Sequence, residues 1–438
     1  MALRSFSAGG GPEAREVSIA AAALFVVTLA YAFVQVAAPP ALARALRPPP
    51  VGADFAEFYV AGEILNRYGA DSLYDLDLQK RLFHSMDARN RNAELWYAGP
   101  PHLALLFRPF ALLPYRAAYV AWMAVVVLFF AIGIRALWPY LADLPGPYRR
   151  AAVLLSLSFA PFATWSLIGG QIGVIAFAVV AWCIHFDLAG KYVTAGAILA
   201  LCSYKPTLLL LFGAFLLIRM NLRLLLGFGA GLSGILAFIV LTTGTKALAG
   251  WIALLSTYGR FVSNGNTPWP AAWPQLIDLN HFMRRVAGAG NHLSAIPAAA
   301  VFVAVAAILI RHWREFDKAT AQRRRLVWAV TITASSLTNM YLMIYDSTFL
   351  IAGTLLTAAV IYQLGAKDRL SGRFHAIVAL VFFSAMIPLP AIVFLRVHVY
   401  TLAIAALAVF QYRLFSRLPA DVTGNQAVPC AVVQTGSS

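Results

Sequence analysis

Residues 193–218 read VTAGAILALCSYKPTLLLLFGAFLLI, two apolar pieces, 193–203 and 207–218, on either side of Lys205-Pro206. About 20 apolar residues are needed for a helix to cross the hydrocarbon core of a bilayer. Each piece is too short alone. Joined, they make one long span with a lysine in its middle. The alternative is two half-helices forming a re-entrant hairpin, which must face protein or a polar cavity because lipid cannot satisfy irregular backbone. The choice decides the orientation of everything that follows.

On either side lie longer uncharged runs. Spans are expected at 18–38, 116–135, 151–168, 172–188, 224–244, 294–311, 326–345, 347–365, 374–390 and 393–413. The first run is longer than a secretory h-region and meets Pro39-Pro40 directly, so it reads as an uncleaved span. With 193–218 as a hairpin, the inner segments hold Arg4 and Arg15, Arg135, Arg149 and Arg150, Lys191, Arg219 and Arg223, six basic residues from Arg311 to Arg325, Lys367, Arg369 and Arg373, and Arg413 and Arg417. Those are 19 of the 34 Lys and Arg. The short outer turns are nearly free of basic residues, as the positive-inside rule requires, and the first outer loop is too long for that rule to count. A single span at 193–218 would put the Arg311–Arg325 run outside. Loop asymmetry favours the hairpin.

Composition agrees with a membrane class. The 438 residues are 61% hydrophobic and only 12% charged, about half the charged share of a soluble domain. The net charge of +16 would suggest nucleic acid in a soluble chain. Here the basic residues sit between apolar runs, and no zinc spacing or RNA-binding signature accompanies them, so no nucleic-acid partner is expected. Cys183, Cys202 and Cys430 are too far apart in sequence to imply a disulfide framework. His102, His281 and His292 are scattered, with no metal-ligand spacing. Neither metal nor cofactor is expected.

The expected fold is therefore all-α and polytopic. A single transmembrane domain, 1–417, has about ten full spans and a re-entrant pair at 193–218. Outer loops fall at 39–115 and 245–293, and a polar tail at 418–438 reads as disordered and cytoplasmic. Both termini are expected in the cytoplasm. The blocks 54–67 and 76–90 suit short amphipathic helices on the membrane surface.

Five features then meet on the outer side: Asp54, Tyr97 to Pro101, Gly169-Gly170-Gln171, Lys205, and Tyr345-Asp346. Asp54 opens an apolar-aromatic helix. It is either an N-cap or a general base able to take a proton from a sugar hydroxyl. Glu57, on the same helix face, is a capping-box partner or a second polar contact to a sugar. Asp346 either meets water in a short turn or is a buried functional carboxyl. Lys205 lies too deep to snorkel easily and suits an anion such as a lipid phosphate. Arg396 is a weaker candidate for that task beside its role as interface anchor.

Ala53-Asp54-Phe55 with Tyr59 and Ala61-Gly62, then Ser72-Leu73-Tyr74-Asp75, then Tyr97 with Pro100-Pro101 and Leu112-Leu113-Pro114, resemble the pattern of glycosyltransferase family 87. Gly170-Gln171, Lys205-Pro206 ahead of Arg219, and Tyr345-Asp346 extend the resemblance over roughly 50–365. It implies the GT-C architecture and transfer of a sugar, typically mannose, with inversion, from a polyprenyl-phosphate carrier to a lipid or glycan acceptor at the outer membrane face. It implies Asp54 as base, Tyr59, Gln171 and Asp346 along the sugar, and Lys205 on the carrier phosphate. Two departures stand out. His102 replaces an apolar residue after Pro-Pro, and the second outer loop matches no family motif. The competing reading is a transporter or flippase of a lipid-linked sugar, which also wants a broken helix and an intramembrane lysine.

Overall fold

The computed structural model describes residues 12–37, 54–86, 95–263, 275–287, 295–365, 369–386 and 397–418. Helices α1 (Pro12–Ala37), α5 (Tyr115–Leu141), α6 (Gly146–Ser158), α7 (Gly173–Leu188), α10 (Leu222–Ser263), α12 (Ala295–Arg314), α13 (Ala321–Leu337), α14 (Leu350–Gln363), α15 (Arg369–Met386) and α16 (Val399–Ser416) each fall on an apolar run of the sequence. Short helices α2 (Phe55–Arg67), α3 (Leu76–Met86) and α4 (Pro101–Phe107) fill the first loop, and α11 (Leu279–Ala287) lies in the second. The β-structure among the described residues is one isolated bridge, Leu276 to Met343.

Five described helices are long and apolar enough to cross a membrane, namely 115–141, 222–256, 296–314, 344–363 and 399–416. Residues 146–158 and 161–168 together make a sixth, bent by 49°. Shorter apolar helices lie at 18–28, 173–188, 192–204, 206–219 and 370–386. The all-helical membrane class holds, while a count of about ten crossings is not reached on length and composition alone.

The stretch that opens the sequence argument doubles back. It comprises α8 (Tyr192–Ala200), tight turns on both sides of Lys205-Pro206, and α9 (Leu209–Arg219). Lys205 is extended, with φ −132° and ψ 88°, as expected for a residue whose α conformation clashes with a following proline. Tyr192 at the start and Arg219 at the end meet, with the guanidinium 5.3 Å from the ring centre. Lys205 therefore sits at the far end of a hairpin. α8 runs against α10 so closely that a Cβ on Gly196 would lie 2.1 Å from the Leu224 carbonyl oxygen, and one on Gly227 2.0 Å from that of Val193. Small residues permit such backbone contact, which substitutes for hydrophobic driving force between helices in lipid.

Ion pairs tie together the segments that carry Asp143, Asp187, Arg219, Asp317 and Arg325. Arg219 Nη1 holds Asp187 Oδ1 at 2.6 Å, its Nε donates to Asp317 Oδ2 at 3.1 Å, and its Nη2 also reaches Asp317. Arg325 pairs with Asp143 at 3.0 Å, and Gln363 donates to the same carboxylate at 2.7 Å.

Two expected boundaries move. The apolar run 326–345 ends as helix at Leu337, because Asn339 turns the chain: its side chain accepts from Tyr341 N and donates to the Thr207 carbonyl. Residues 344–349 then form the first tight turns of the next helix. The second outer loop does not start at 245 as irregular chain. Gly244, at φ 81°, kinks α10, and the helix continues to Ser263. The continuation lies on the first loop, where Trp251 donates to Ala98 O and Lys246 pairs with Asp71. The 418–438 tail falls beyond the described residues except for Leu418.

Candidate active site

The site is built around the start of α2. Asp54 occupies the N-cap position, yet its carboxylate makes no capping bond. The first helical amide is satisfied elsewhere, with Phe55 N donating to Gly169 O at 3.1 Å. Gly170 makes that approach possible. Its φ is 83°, and a Cβ there would lie 2.5 Å from the Cβ of Phe55, so neither the backbone region nor the space suits another residue. The carbonyl of Gly170 accepts from Trp122 Nε1 at 2.8 Å, and Tyr119 bonds the carbonyl of Ile168. The 169–171 turn is thus clamped from α5 and aims the Gln171 amide at α2.

Gln171 Nε2 donates to Glu57 Oε1 at 3.4 Å, and the Gln171 side chain also hydrogen-bonds Asp54. Two carboxyl groups one helical turn apart share one amide. Burial pushes Asp54 up to about 6, against the lowering effect of Gln171. Glu57 stands well above the usual carboxylate range, first through burial and then through the charge of Asp54, with Gln171 and Lys205 pulling the other way. Both side chains remain partly accessible. A base near 6 is ionised at neutral pH and more proton-avid than an ordinary carboxylate.

The second half of the site comes from the hairpin apex and residues 341–346. Lys205 Nζ is paired with Asp346 Oδ2. It lies 5.6 Å from the ring centre of Tyr341 and 5.3 Å from that of Tyr345. The Asp346 side chain is only 1% exposed. Its Oδ2 also accepts from Met343 N at 2.9 Å, while Oδ1 has no hydrogen-bond partner among the described residues. The field of Lys205 reaches Glu57, and the charge of Asp54 reaches Tyr345. Asp54, Glu57, Gln171, Lys205 and Asp346 are therefore one cluster.

Tyr97 borders it. The residue is buried, its hydroxyl donates to Pro100 O at 2.6 Å, and the charge of Glu57 is felt there. Its role is to hold the loop, with Tyr97 N donating to the Gln79 side chain. Tyr59 is not brought in. Two positions beyond Glu57 on a helix is a rotation of about 200°, and its hydroxyl donates to Leu113 O on the other side of α2. Arg396 lies outside the described residues. His102, the departure after Pro-Pro, is half-buried in α4, where burial lowers it to about 4 and keeps it neutral.

One neighbour escapes sequence reasoning. Asp278 and His281 are fully buried, with the His281 Nδ1 2.9 Å from the carboxylate. Asp278 also accepts from Leu342 N at 3.0 Å, and Ile277 N donates to Leu342 O. The His281 ring lies 5.9 Å from that of Tyr341. The pair braces the strip that carries Tyr341, Tyr345 and Asp346. The signal available was an Asp and His three apart at a helix start.

A family model described as glycosyltransferase family 87 matches residues 97–338, more than half of the chain. The chain belongs to glycosyltransferase family 87. Comparison with curated proteins and with solved structures returned no match. The matched stretch includes Tyr97, Gln171 and Lys205, whereas Asp54, Glu57, Tyr59 and Asp346 lie beyond its ends. Membership makes the protein a glycosyltransferase of the membrane, with a sugar donor and an acceptor as its substrates.

Proposed function

We propose that this family 87 glycosyltransferase takes a sugar, mannose by its resemblance, from a polyprenyl-phosphate carrier and delivers it with inversion to a lipid or glycan acceptor on the outer face of the membrane. The observation that carries the reading is one cluster containing an accessible carboxylate with a raised proton affinity and a lysine at a broken-helix apex. Asp54 takes the proton from the acceptor hydroxyl as that oxygen attacks the anomeric carbon. The bond from that carbon to the phosphate oxygen breaks, and its electron pair leaves on the polyprenyl phosphate. Lys205, with three N–H donors and one given to Asp346, stabilises the departing charge. Direct displacement inverts the carbon and needs no covalent nucleophile, and a phosphate leaving group needs no second acid.

The depth of the hairpin fits a site sunk in the bilayer. From Tyr192 to Lys205 is about 20 Å at 1.5 Å per residue, against a hydrocarbon core of about 30 Å. With its flanks at the inner surface, the re-entrant pair brings Lys205 two-thirds of the way to the outer face. This is the orientation we assign, in the cell inner or plasma membrane, with both termini cytoplasmic and the site open to the exterior.

The test is purified protein in detergent with polyprenyl-phosphomannose labelled in the sugar and a membrane-lipid acceptor extract. Transfer of label with stoichiometric release of polyprenyl phosphate is the expected result. Movement of intact carrier across reconstituted vesicles, without cleavage, would instead make the protein a flippase.

A further inference from the structure

The cluster holds more negative than positive groups. Among the described residues facing Glu57, Asp54 caps the same helix, Tyr97 comes from the loop ahead of α4, Tyr345 from the 344–349 turn, and Lys205 from the hairpin. The tyrosines are neutral at ordinary pH. Lys205 is already matched by Asp346. That leaves Asp54 and Glu57, one turn apart on the shared Gln171 amide, with no cation of their own among the described residues. Ionising the second of two such carboxyls places like charges side by side, which favours a single proton held between them.

We propose that Glu57 is the proton holder of this pair, and that its proton is what allows a carboxyl-rich site to admit an anionic lipid-phosphate donor. The inference rests on the donor class proposed above. The electrostatics agree: burial raises both carboxyls, and the charge of Asp54 adds a further upward push on Glu57. With Glu57 neutral, the phosphodiester enters beside one net negative charge. With Glu57 ionised it enters beside two, and Lys205 cannot offset both while held by Asp346. Donor binding therefore favours the protonated site and takes up a proton when pH exceeds the point at which Glu57 ionises.

The sign follows from linkage. A bound state that holds one more proton than the free state loses about tenfold in affinity per pH unit over the range where the free site has lost it. The donor KM of the wild-type protein should rise by about that factor per unit on the alkaline side, while the acceptor KM stays level. Glu57→Gln, neutral at every pH and of the same shape, should flatten the donor KM whatever its kcat. Glu57→Asp, which keeps a titrating group, should retain the slope. A slope surviving unchanged in Glu57→Gln overturns the assignment.

A second measurement requires no variant. Titration of wild-type protein with polyprenyl-phosphomannose in two buffers of different ionisation enthalpy counts protons taken up. The expected count approaches one per donor at alkaline pH, and binding with no uptake overturns the inference. Failure to bind this donor at any pH overturns the donor class itself, which distinguishes the two.

Discussion

Lys205 cannot be tested by simple truncation, because it has two tasks. Asp346 is almost wholly buried, with one oxygen unpartnered among the described residues and the other held by Lys205 and the Met343 amide. Lys205→Ala strips that carboxylate of its only cation among the described residues. Removing one partner of a buried ion pair costs about 3–5 kcal/mol. A loss of transfer in Lys205→Ala could then reflect only a smaller folded fraction. Adding Asp346→Asn removes the stranded charge and keeps an acceptor for Met343 N, so most of the lost stability should return. The catalytic defect should not. One missing charge-stabilising donor lowers kcat/KM for the carrier by about 10²-fold or more.

The assay is a cycle of wild type, both single variants and the double variant, each followed by melting in detergent and by donor kinetics. Lys205→Ala should melt lowest, and the double variant should recover towards wild type. Asp346→Asn alone, which frees the ammonium, should bind the donor at least as tightly as wild type even where its kcat falls. Lys205→Arg should regain part of the donor kinetics, since charge is kept while the planar fork fits a compact site less well. A double variant that both melts like wild type and transfers within about tenfold of it would refute a role for Lys205 on the phosphate.

Asp54→Asn should lower transfer by about 10²-fold or more with melting nearly unchanged. In the wild type kcat/KM should fall about tenfold per pH unit below about 6, because only ionised Asp54 accepts a proton and burial has raised its value; an acid limb at the ordinary carboxylate value near 4 would remove the assignment. In a Cys430→Ser background, cysteine at Asp77 should react with a membrane-impermeant thiol reagent in intact cells and cysteine at Lys318 should not; the reverse pattern would invert the topology. Arg219→Leu leaves Asp187 buried without its ion partner and should cost about 3–5 kcal/mol. The surviving fraction should keep the wild-type donor KM, and a changed KM would tie the Arg219 cluster to the chemistry.

Much of the helical order is legible because apolar runs have one physical use in this composition. The interruption at Lys205-Pro206 follows from proline geometry, and the short helices 55–67 and 76–86 follow from mixed polarity near the expected blocks. Less is legible where a polar residue has to choose among distant partners. Lys205 and Asp346 are separated by 141 positions, and nothing local pairs them. Asp54 reads equally as N-cap or base from sequence, and only the structure, in which its side chain makes no cap bond, shows that its carboxylate is spare. The opposite placement of Glu57 and Tyr59 was available from helix period, but the resemblance set Tyr59 along the sugar. The continuation of α10 past Gly244 was hidden by the Trp, Pro, Asn and His content of the loop that follows it.

The two ends of the hairpin argue about function by their difference. Around Arg219 the guanidinium is bonded to both Asp187 and Asp317 and lies 4.2 Å from the Phe316 ring centre. The second oxygen of Asp187 accepts from Trp328 Nε1 at 2.8 Å. A buried charge matched so fully is what a folded protein needs to keep charge inside at all. Around Lys205 the match among the described residues is partial: an ammonium with donors to spare, a buried carboxylate oxygen with no partner, and two further carboxyls on one amide. Incomplete satisfaction carries a cost, and proteins keep it chiefly where a ligand or a reaction completes the set. A sugar phosphate supplies the two missing kinds of group, anionic oxygens for Lys205 and hydroxyl donors for Asp346 and Asp54. We therefore propose that the transfer chemistry lies at the hairpin apex rather than at the charge cluster around Arg219.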